Sequence, residues 1–279
     1  TLTDTLVCDN IPDQVTGDWV DGGNTCVAVS CDDKNGDSIP DECKSIGGNI
    51  HLVPDDYPTI QEAINAAVNG DEIVVGPGTY NGVGDDVVST YGKELWIHSS
   101  DGPEATIIDG EGQRGGLVCR SGESAKTIFE GFHITNCNGG YQRGGINLEN
   151  CGPTIRNCII DNNATGSNGG GIICTNSDAT ITDCRITNNA TFGSSYPGGG
   201  LAVIPKSEEY ISESAFPTVS NTLFCGNYPN AILGKWIDGG GNCIAFLCDD
   251  KDGDGFPDEC EGTDDGIHHV PDEYPTIQE

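Results

Sequence analysis

Short runs of alternating apolar and polar residues, separated by Gly- and Asn-rich turns, fill the middle of this chain. Ile134, Ile160 and Ile186 recur at equal spacing, and an Asn follows each of them at the same pitch: Asn136, Asn162 and Asn188. Alternation with a period of two indicates strands that bury one face. Such a fixed pitch predicts a parallel β-solenoid, in which equivalent residues stack about 4.8 Å apart. We expect one inward ladder of these Ile residues and a second ladder of these Asn residues.

A helical pattern precedes the strands. Thr59 and Glu62 have the spacing of a capping box, and Gly70 is placed to end the helix. The apolar positions between them fall on one helix face: Ile60, Ile64 and Ala67. Residues 72–75 are then the first predicted strand, and residues 76–80 the strand end and turn that follow. A short helix over the open end of a solenoid would shield its first coil from edge pairing.

The chain also repeats itself over a longer distance. Residues 1–62 align without a gap onto residues 218–279, an offset of 217 with 34 identities in 62 positions. This pattern favours a window cut from a tandem array over a two-domain protein with duplicated linkers. Five units are predicted. Residues 1–10 are the end of a preceding β-helix, residues 11–49 a Cys-rich calcium-binding linker, and residues 50–227 the β-helix itself. Residues 228–267 are a second such linker, and residues 268–279 are the start of the next repeat.

Composition narrows the functional classes. The chain has 12 Lys and Arg against 44 Asp and Glu, a formal charge of −32, which excludes nucleic acid as the main partner. No apolar run reaches the roughly 18 residues that a membrane span needs. Met is absent, so we expect a processed product or an excerpt. Fourteen Cys residues without a CxxC motif favour disulfides and an extracellular or cell-surface location.

Each linker contains an acidic loop with oxygen donors at alternating positions. Such spacing suits a hard cation, and we expect Ca²⁺. The second loop supplies side chains at positions 1, 3, 5, 9 and 12 and a backbone carbonyl at position 7: Asp250, Asp252, Asp254, Asp258, Glu261 and Phe256. The first loop supplies Asp33, Asn35, Asp37, Asp41 and Glu42, with the carbonyl of Ile39. It departs from the pattern at Ser38 and Lys44. The alternative is a solvated acidic turn closed by flanking Cys residues.

Four Cys residues recur in each linker: Cys8, Cys26, Cys31 and Cys43, then Cys225, Cys243, Cys248 and Cys260. In the preferred pairing, a disulfide between Cys31 and Cys43 closes the first acidic loop, and one between Cys248 and Cys260 closes the second. Disulfides Cys8–Cys26 and Cys225–Cys243 would then close the segment before each loop. Each set of four allows three connectivities, so the others stay open. Cys158 and Cys184 have the spacing of the Ile ladder and stack on successive coils, as a disulfide or as buried thiols. The sequence leaves four Cys residues unassigned: Cys119, Cys137, Cys151 and Cys174.

Two stretches carry a family resemblance. Residues 57–67 (YPTIQEAINAA) and 71–80 (DEIVVGPGTY) resemble the opening of pectin-lyase-like right-handed β-helix proteins. The GGGI and PTIxNC coils resemble secreted β-helix repeat proteins of planctomycete type. This resemblance covers roughly residues 50–230 and implies an all-β, right-handed parallel β-helix with a short N-terminal capping helix. The acidic loops are similar to those of dockerins and thrombospondin type 3 repeats, which bind calcium.

Residues with catalytic chemistry are scattered in the sequence. Asp161 and Asp183 lie in Asn-rich turns, where Asp commonly serves turn geometry. Arg156 and Arg185 are isolated. His98 and His133 each stand alone on a predicted strand, and His51 and His268 lie in the linker repeat. We therefore predict no catalytic residues and no enzymatic activity. Asn163 and Asn189 begin Asn-Ala-Thr sequons and are candidate glycosylation sites.

The sequence thus predicts an extracellular structural protein. Tandem β-helix repeats, joined by calcium-binding and disulfide-closed linkers, would form a fibre or surface stalk, with neighbouring repeats as the main partners and glycans as further ones. The alternative is a carbohydrate-active enzyme of lyase or esterase type, or a carbohydrate-binding adhesin built on the same solenoid.

Overall fold

The computed structural model describes residues 49–192, 198–205, 215–252 and 257–260, together with two short strands earlier in the chain. In chain order its elements are β1 (Leu6–Val7), β2 (Cys26–Val27), β3 (Ile50–Val53), α1 (Ile60–Ala66), β4 (Glu72–Val75), β5 (Gly78–Tyr80), β6 (Asp86–Ser89), β7 (Trp96–Ser99), β8 (Thr106–Asp109), β9 (Gly115–Cys119), β10 (Ile128–Glu130), β11 (His133–Thr135), β12 (Ile146–Glu149), β13 (Thr154–Arg156), β14 (Ile159–Asp161), β15 (Ala164–Thr165), β16 (Ile172–Thr175), β17 (Thr180–Thr182), β18 (Arg185–Thr187), β19 (Ala190–Thr191), β20 (Leu201–Ile204), β21 (Thr218–Ser220), β22 (Leu223–Cys225), β23 (Ile232–Leu233), β24 (Ile237–Asp238), β25 (Cys243–Ile244) and a 3-10 turn (Asp258–Cys260).

Three parallel sheets form the walls of a solenoid. Sheet 1 contains β3, β4, β7, β10, β13, β17, β21 and β24; sheet 2 contains β5, β8, β11, β14, β18, β22 and β25; sheet 3 contains β6, β9, β12, β16, β20 and β23. The chain visits the three sheets in turn and then moves up one strand, so the described residues form about six coils. The predicted all-β parallel β-helix is confirmed.

The core of the solenoid is built from stacked aliphatic side chains. Ile134, Ile160 and Ile186 are direct neighbours in sheet 2, between Ile108 below and Phe224 above. All five side chains are at most 1% exposed. The inward Ile ladder is therefore confirmed, and burial of each such side chain stabilises the fold by about 1.5–3 kcal/mol.

The predicted Asn ladder is wrong by one residue. Asn136, Asn162 and Asn188 are exposed and adopt φ of 53°, 54° and 55°, so they bend the chain after sheet 2. The ladder of hydrogen-bonded amides is formed one position later, by Asn163 after Asn162, by Asn189 after Asn188, and by Asn227 at the equivalent position of the next coil. Each of these Asn side chains accepts a hydrogen bond from a backbone N–H of the coil below it. A left-handed turn followed by an inward amide thus forms each corner.

The same ladder overturns the predicted glycosylation sites. Asn163 and Asn189 are 1% and 0% exposed, and Thr165 and Thr191 of the two sequons are buried as well. Each Asn amide nitrogen already donates two hydrogen bonds, to a backbone carbonyl and to the next Asn side chain. A glycan on this nitrogen has no space in the folded solenoid. The sequon is here a corner motif.

Helix α1 is present as predicted, but residues 72–75 are not the first strand of the solenoid, because β3 precedes the helix and pairs with β4. The hydroxyl of Thr59 accepts a hydrogen bond from the Glu62 N–H at 3.1 Å, and the apolar face is buried. The helix ends at Ala66, before Gly70, where the Lys93 ammonium reaches its C-terminal carbonyls. Lys93 Nζ donates to the oxygens of Ile64, Asn65 and Ala67 at 2.6, 3.1 and 2.7 Å. A cation at this end complements the helix dipole.

The sheets continue beyond residue 227, the predicted end of the β-helix. β24 pairs in parallel with β21, and β25 pairs with β22, which adds part of another coil. The strand pair near the start of the chain has the matching register. Leu6 and Val7 pair with Cys26 and Val27, just as Leu223 and Phe224 pair with Cys243 and Ile244. The two pairs are related by the sequence offset of 217.

Candidate functional site

Two disulfides tie the second linker to the last coils. Cys225 on β22 bonds Cys248, and Cys243 on β25 bonds Cys260, with Cα separations of 5.2 and 5.8 Å. The preferred pairings 225–243 and 248–260 are therefore wrong. Cys225 and Cys243 sit on adjacent strands of sheet 2, and each reaches forward to the segment that folds back over that sheet. Leu223 and Ala245 pack beside the disulfides in a small second core.

Several predicted residues lie outside the described part of the chain. In the first linker these are Asp33, Asn35, Asp37, Ile39, Asp41, Glu42, Cys8, Cys31 and Cys43, while Cys26 is described only as part of strand β2. In the second linker they are Asp254, Phe256 and Glu261.

The described part of the second acidic loop is closed at its base. Asp258 N–H donates to the Asp249 carbonyl at 2.8 Å, and the Asp258 carboxylate accepts from Lys251 N–H at 2.9 Å. The Lys251 ammonium lies 2.7 Å from the same carboxylate. The side-chain hydrogen bond from Lys251 lowers the pKa of Asp258, and that to Asp258 raises the pKa of Lys251. The Lys251 ammonium thus neutralises the Asp258 carboxylate, as a bound metal cation would.

The donor set of this loop fits a hard cation in its chemistry. Asp250, Asp252 and Asp258 offer carboxylate oxygens, the ligands that Ca²⁺ prefers. The described residues alone do not bring three His, Cys, Asp or Glu side chains into metal-binding positions. The remaining predicted donors of the loop fall outside the described residues, so the calcium site stays a prediction.

Six further cysteines are buried thiols: Cys119, Cys137, Cys151, Cys158, Cys174 and Cys184. Cys158 and Cys184 stack on successive coils but do not form the predicted disulfide; each thiol points to a backbone carbonyl of its own coil at 3.2 Å. Burial raises the pKa of Cys137 and Cys151 to about 12. These side chains act as small apolar residues of the core.

A polar cluster on the outward face of sheet 1 escaped the sequence analysis. Trp96 is 39% exposed, and its indole N–H donates to Glu130 Oε2 at 3.1 Å. Arg156 donates to the same carboxylate oxygen at 2.7 Å. The His98 ring stacks on Trp96 with centroids 4.3 Å apart, and His98 Nε2 lies 2.7 Å from Glu72 Oε1. We call these five residues the Trp96 cluster; they come from four successive coils.

The residues considered for catalysis are also arranged differently from the expectation. His133 Nε2 lies 2.6 Å from Asp161 Oδ1 on sheet 2. Burial alone would raise the pKa of Asp161, but the hydrogen bond from His133 holds it below its usual value. Asp183 sits in another turn, between sheets 1 and 2, where Thr182 donates to it. Asp161 and Asp183 therefore do not form a catalytic pair.

Comparison with known proteins adds a structural neighbour. No protein-family model and no curated protein matches the chain. Among solved structures, the chain is similar to pectate lyase Pel9A, with a TM-score of 0.38 and 16% identity. The match covers 66% of this chain and 53% of that protein, so the chain spans about half the length of the lyase.

This neighbour corrects one prediction. The prediction of a chain without enzymatic activity is contradicted by this comparison, because a solved protein to which the chain is similar is a pectate lyase. At this level of identity the likeness shows the fold alone and assigns no reaction. The two disulfides suit a secreted protein, and within the described ranges no helix is long and apolar enough to cross a membrane.

Proposed function

We propose that this chain is part of an extracellular structural protein in which tandem β-helix repeats form a fibre or surface stalk. The observation that carries the proposal is the strand register shared by the two ends of the repeat. β1 and β2 pair as β22 and β25 do, residue for residue at the offset of 217. The junction after one solenoid therefore has a counterpart before the next. Solenoids stack in one dimension, and repeated end-to-end joints extend such an array.

The linkers are proposed to bind Ca²⁺ and so to fix the joints between repeats. Asp250, Asp252 and Asp258 would contribute carboxylates, completed by the predicted donors of the loop. The ion would displace the Lys251 ammonium from Asp258. A divalent cation would stabilise this carboxylate-rich turn, because the carboxylates otherwise repel one another in a chain that carries a net charge of −32.

Calcium titration of the whole chain tests this part. We expect saturable binding to two loops, and Asp258→Asn should weaken the second site by about tenfold or more, since it removes a charged ligand. Asp183→Asn is the matched control, because it removes the same charge from an exposed turn far from the linker in sequence. Equal affinities in the two variants, or no saturable binding, would exclude the proposed site.

Electron microscopy of native material tests the fibre itself. Long filaments with a regular axial repeat are expected. Discrete particles would instead favour the alternative, a carbohydrate-active or carbohydrate-binding protein. Within the described residues, the Trp96 cluster is the feature that favours this alternative, and release of sugar products from polysaccharides would establish catalysis.

A further inference from the structure

The Trp96 cluster presents an aromatic side chain that its neighbours hold in place. The indole N–H of Trp96 is fixed by Glu130, and the ring is stacked on His98 at an interplanar angle of 25°. Glu72 in turn fixes His98. Holding an exposed ring this way removes the rotamer entropy that a ligand would otherwise have to overcome. This arrangement suits a binding platform better than a chance surface residue.

Arg156 adds hydrogen-bond donors beside this platform. One terminal nitrogen bonds Glu130 Oε2, and its Nε is buried and inaccessible to a ligand. The side chain as a whole is 39% exposed, so its exposed terminal N–H groups can donate to a ligand oxygen. Arg156 and Trp96 bond the same oxygen of Glu130, so the guanidinium and the indole lie close together.

We propose that the Trp96 cluster binds a neutral polysaccharide. The apolar C–H face of a pyranose ring packs on an indole, while its hydroxyl groups accept from Arg156 and donate to Glu72 and Glu130. This proposal rests on the outward face of sheet 1 and not on the calcium linkers or on the assembly of repeats. Its failure would appear as a loss of glycan binding, and failure of the structural role would appear in calcium binding and filament formation, so the two outcomes are distinguishable.

Charge selects a neutral polymer over a polyuronate. The cluster contains two carboxylates against one guanidinium, and the whole chain carries −32. The field of such a chain repels a polyanion and lowers its local concentration. Uncharged hydroxyl groups carry no such cost and can bond to carboxylates directly. The ligand class that fits the site is therefore an uncharged glycan.

The outward face of sheet 1 also gives the polymer a direction. In the strand register, Trp96 lies next to Ile128, and Thr154, Thr180 and Thr218 follow on successive coils. These hydroxyl groups repeat about every 4.8 Å along the solenoid axis. A sugar chain that stacks on Trp96 and runs along the axis meets Ile128 on the next coil and a threonine hydroxyl on each of the three coils after it. We infer that the polymer lies parallel to the axis.

Affinity electrophoresis of the whole chain provides the test, with hydroxyethyl cellulose and galactomannan as neutral probes and polygalacturonate as the charged probe. Both neutral probes or one of them should retard the protein, and polygalacturonate should not. Trp96→Ala should weaken the retardation by about tenfold, since an aromatic contact is worth about 1.4 kcal/mol. Trp96→Phe should retain part of the binding, because the stacking surface remains.

Tyr141→Ala is the matched control, because Tyr141 is an aromatic residue that is 69% exposed on another part of the surface. Circular dichroism of each variant checks that the solenoid is folded. Equal retardation of the Trp96→Ala and Tyr141→Ala variants would overturn the site. Retardation by polygalacturonate alone, or by no probe, would overturn the ligand class.

Discussion

The buried Asn ladder offers the sharpest test of the solenoid register. We predict that Asn189→Ala destabilises the fold far more than Asn188→Ala, although the two residues are adjacent. Asn189 is fully buried, and its side-chain oxygen accepts from Asn163 N–H and Nδ2 at 3.0 and 3.1 Å. Its amide nitrogen donates to the Ile160 carbonyl at 2.8 Å and to Asn227 at 3.1 Å.

The magnitude follows from these bonds. Alanine at position 189 leaves the Asn163 N–H buried without its acceptor, removes the amide that donates to the Ile160 carbonyl, and breaks the ladder on both sides. Each unsatisfied buried group costs about 1–3 kcal/mol, and neighbouring losses are not additive, so we expect a total of about 3–5 kcal/mol. Asn188 is exposed at φ 55°, so alanine there costs only about 1 kcal/mol of backbone strain.

Urea unfolding at equilibrium, followed by far-UV circular dichroism with the disulfides intact, measures both free energies. If Asn189→Ala does not fold, Asn227→Ala provides a weaker version of the same change. Asn227 ends the described ladder and accepts two hydrogen bonds from Asn189. Losses that are equal at positions 188 and 189, or larger at 188, would refute the assignment of the ladder.

Two further predictions concern the first coils. Lys93→Met should lower the free energy of unfolding by about 1–2 kcal/mol, because three carbonyls at the end of α1 lose a charged donor. Lys126→Met is the control, since that side chain is 80% exposed, and it should change the free energy little in the same urea assay. Burial alone would raise the pKa of Asp71, but hydrogen bonds from His51 and two backbone N–H groups lower this pKa in the folded state. The ionised carboxylate therefore stabilises the fold above the unfolded pKa of about 3.9, and this stabilisation is lost as the pH falls through the lower folded pKa. Asp71→Asn should therefore be less stable than the parent at pH 6, with the gap narrowing at pH 3; a gap that is independent of pH would contradict this.

The sequence period was enough to predict the sheets and the Ile ladder, because a repeated strand must bury the same face in every coil. It could not decide between adjacent Asn residues. Asn162 and Asn163 recur together as Asn188 and Asn189, so both series have the same spacing. Only the backbone shows that the first residue of each pair adopts the left-handed conformation and that the second turns inward.

The Trp96 cluster was missed because the pitch is not constant in the first coils. Trp96 pairs with Ile128 and Ile128 pairs with Thr154, so the first of these two coils contains the longer stretch of chain. Turns of different length hide which residues are neighbours on the outer face, so the sequence does not show that Trp96 and Arg156 lie close together. The disulfides were mispredicted for a related reason. Spacing in the chain favoured short loops, but the linker folds back over sheet 2 and brings more distant Cys residues together.

The disulfide pattern changes what calcium can do in the proposed joint. The acidic loop from Asp250 to Asp258 lies between Cys248 and Cys260, and each of these Cys residues is bonded to a strand of sheet 2. Both ends of the loop are therefore fixed to the solenoid whether or not an ion is bound. Calcium would order the residues between the two bonds, while the covalent links carry tension along the chain. Chelation of calcium should thus expose the loop to proteases, and separation of the linker from the last coils should require reduction of the disulfides as well.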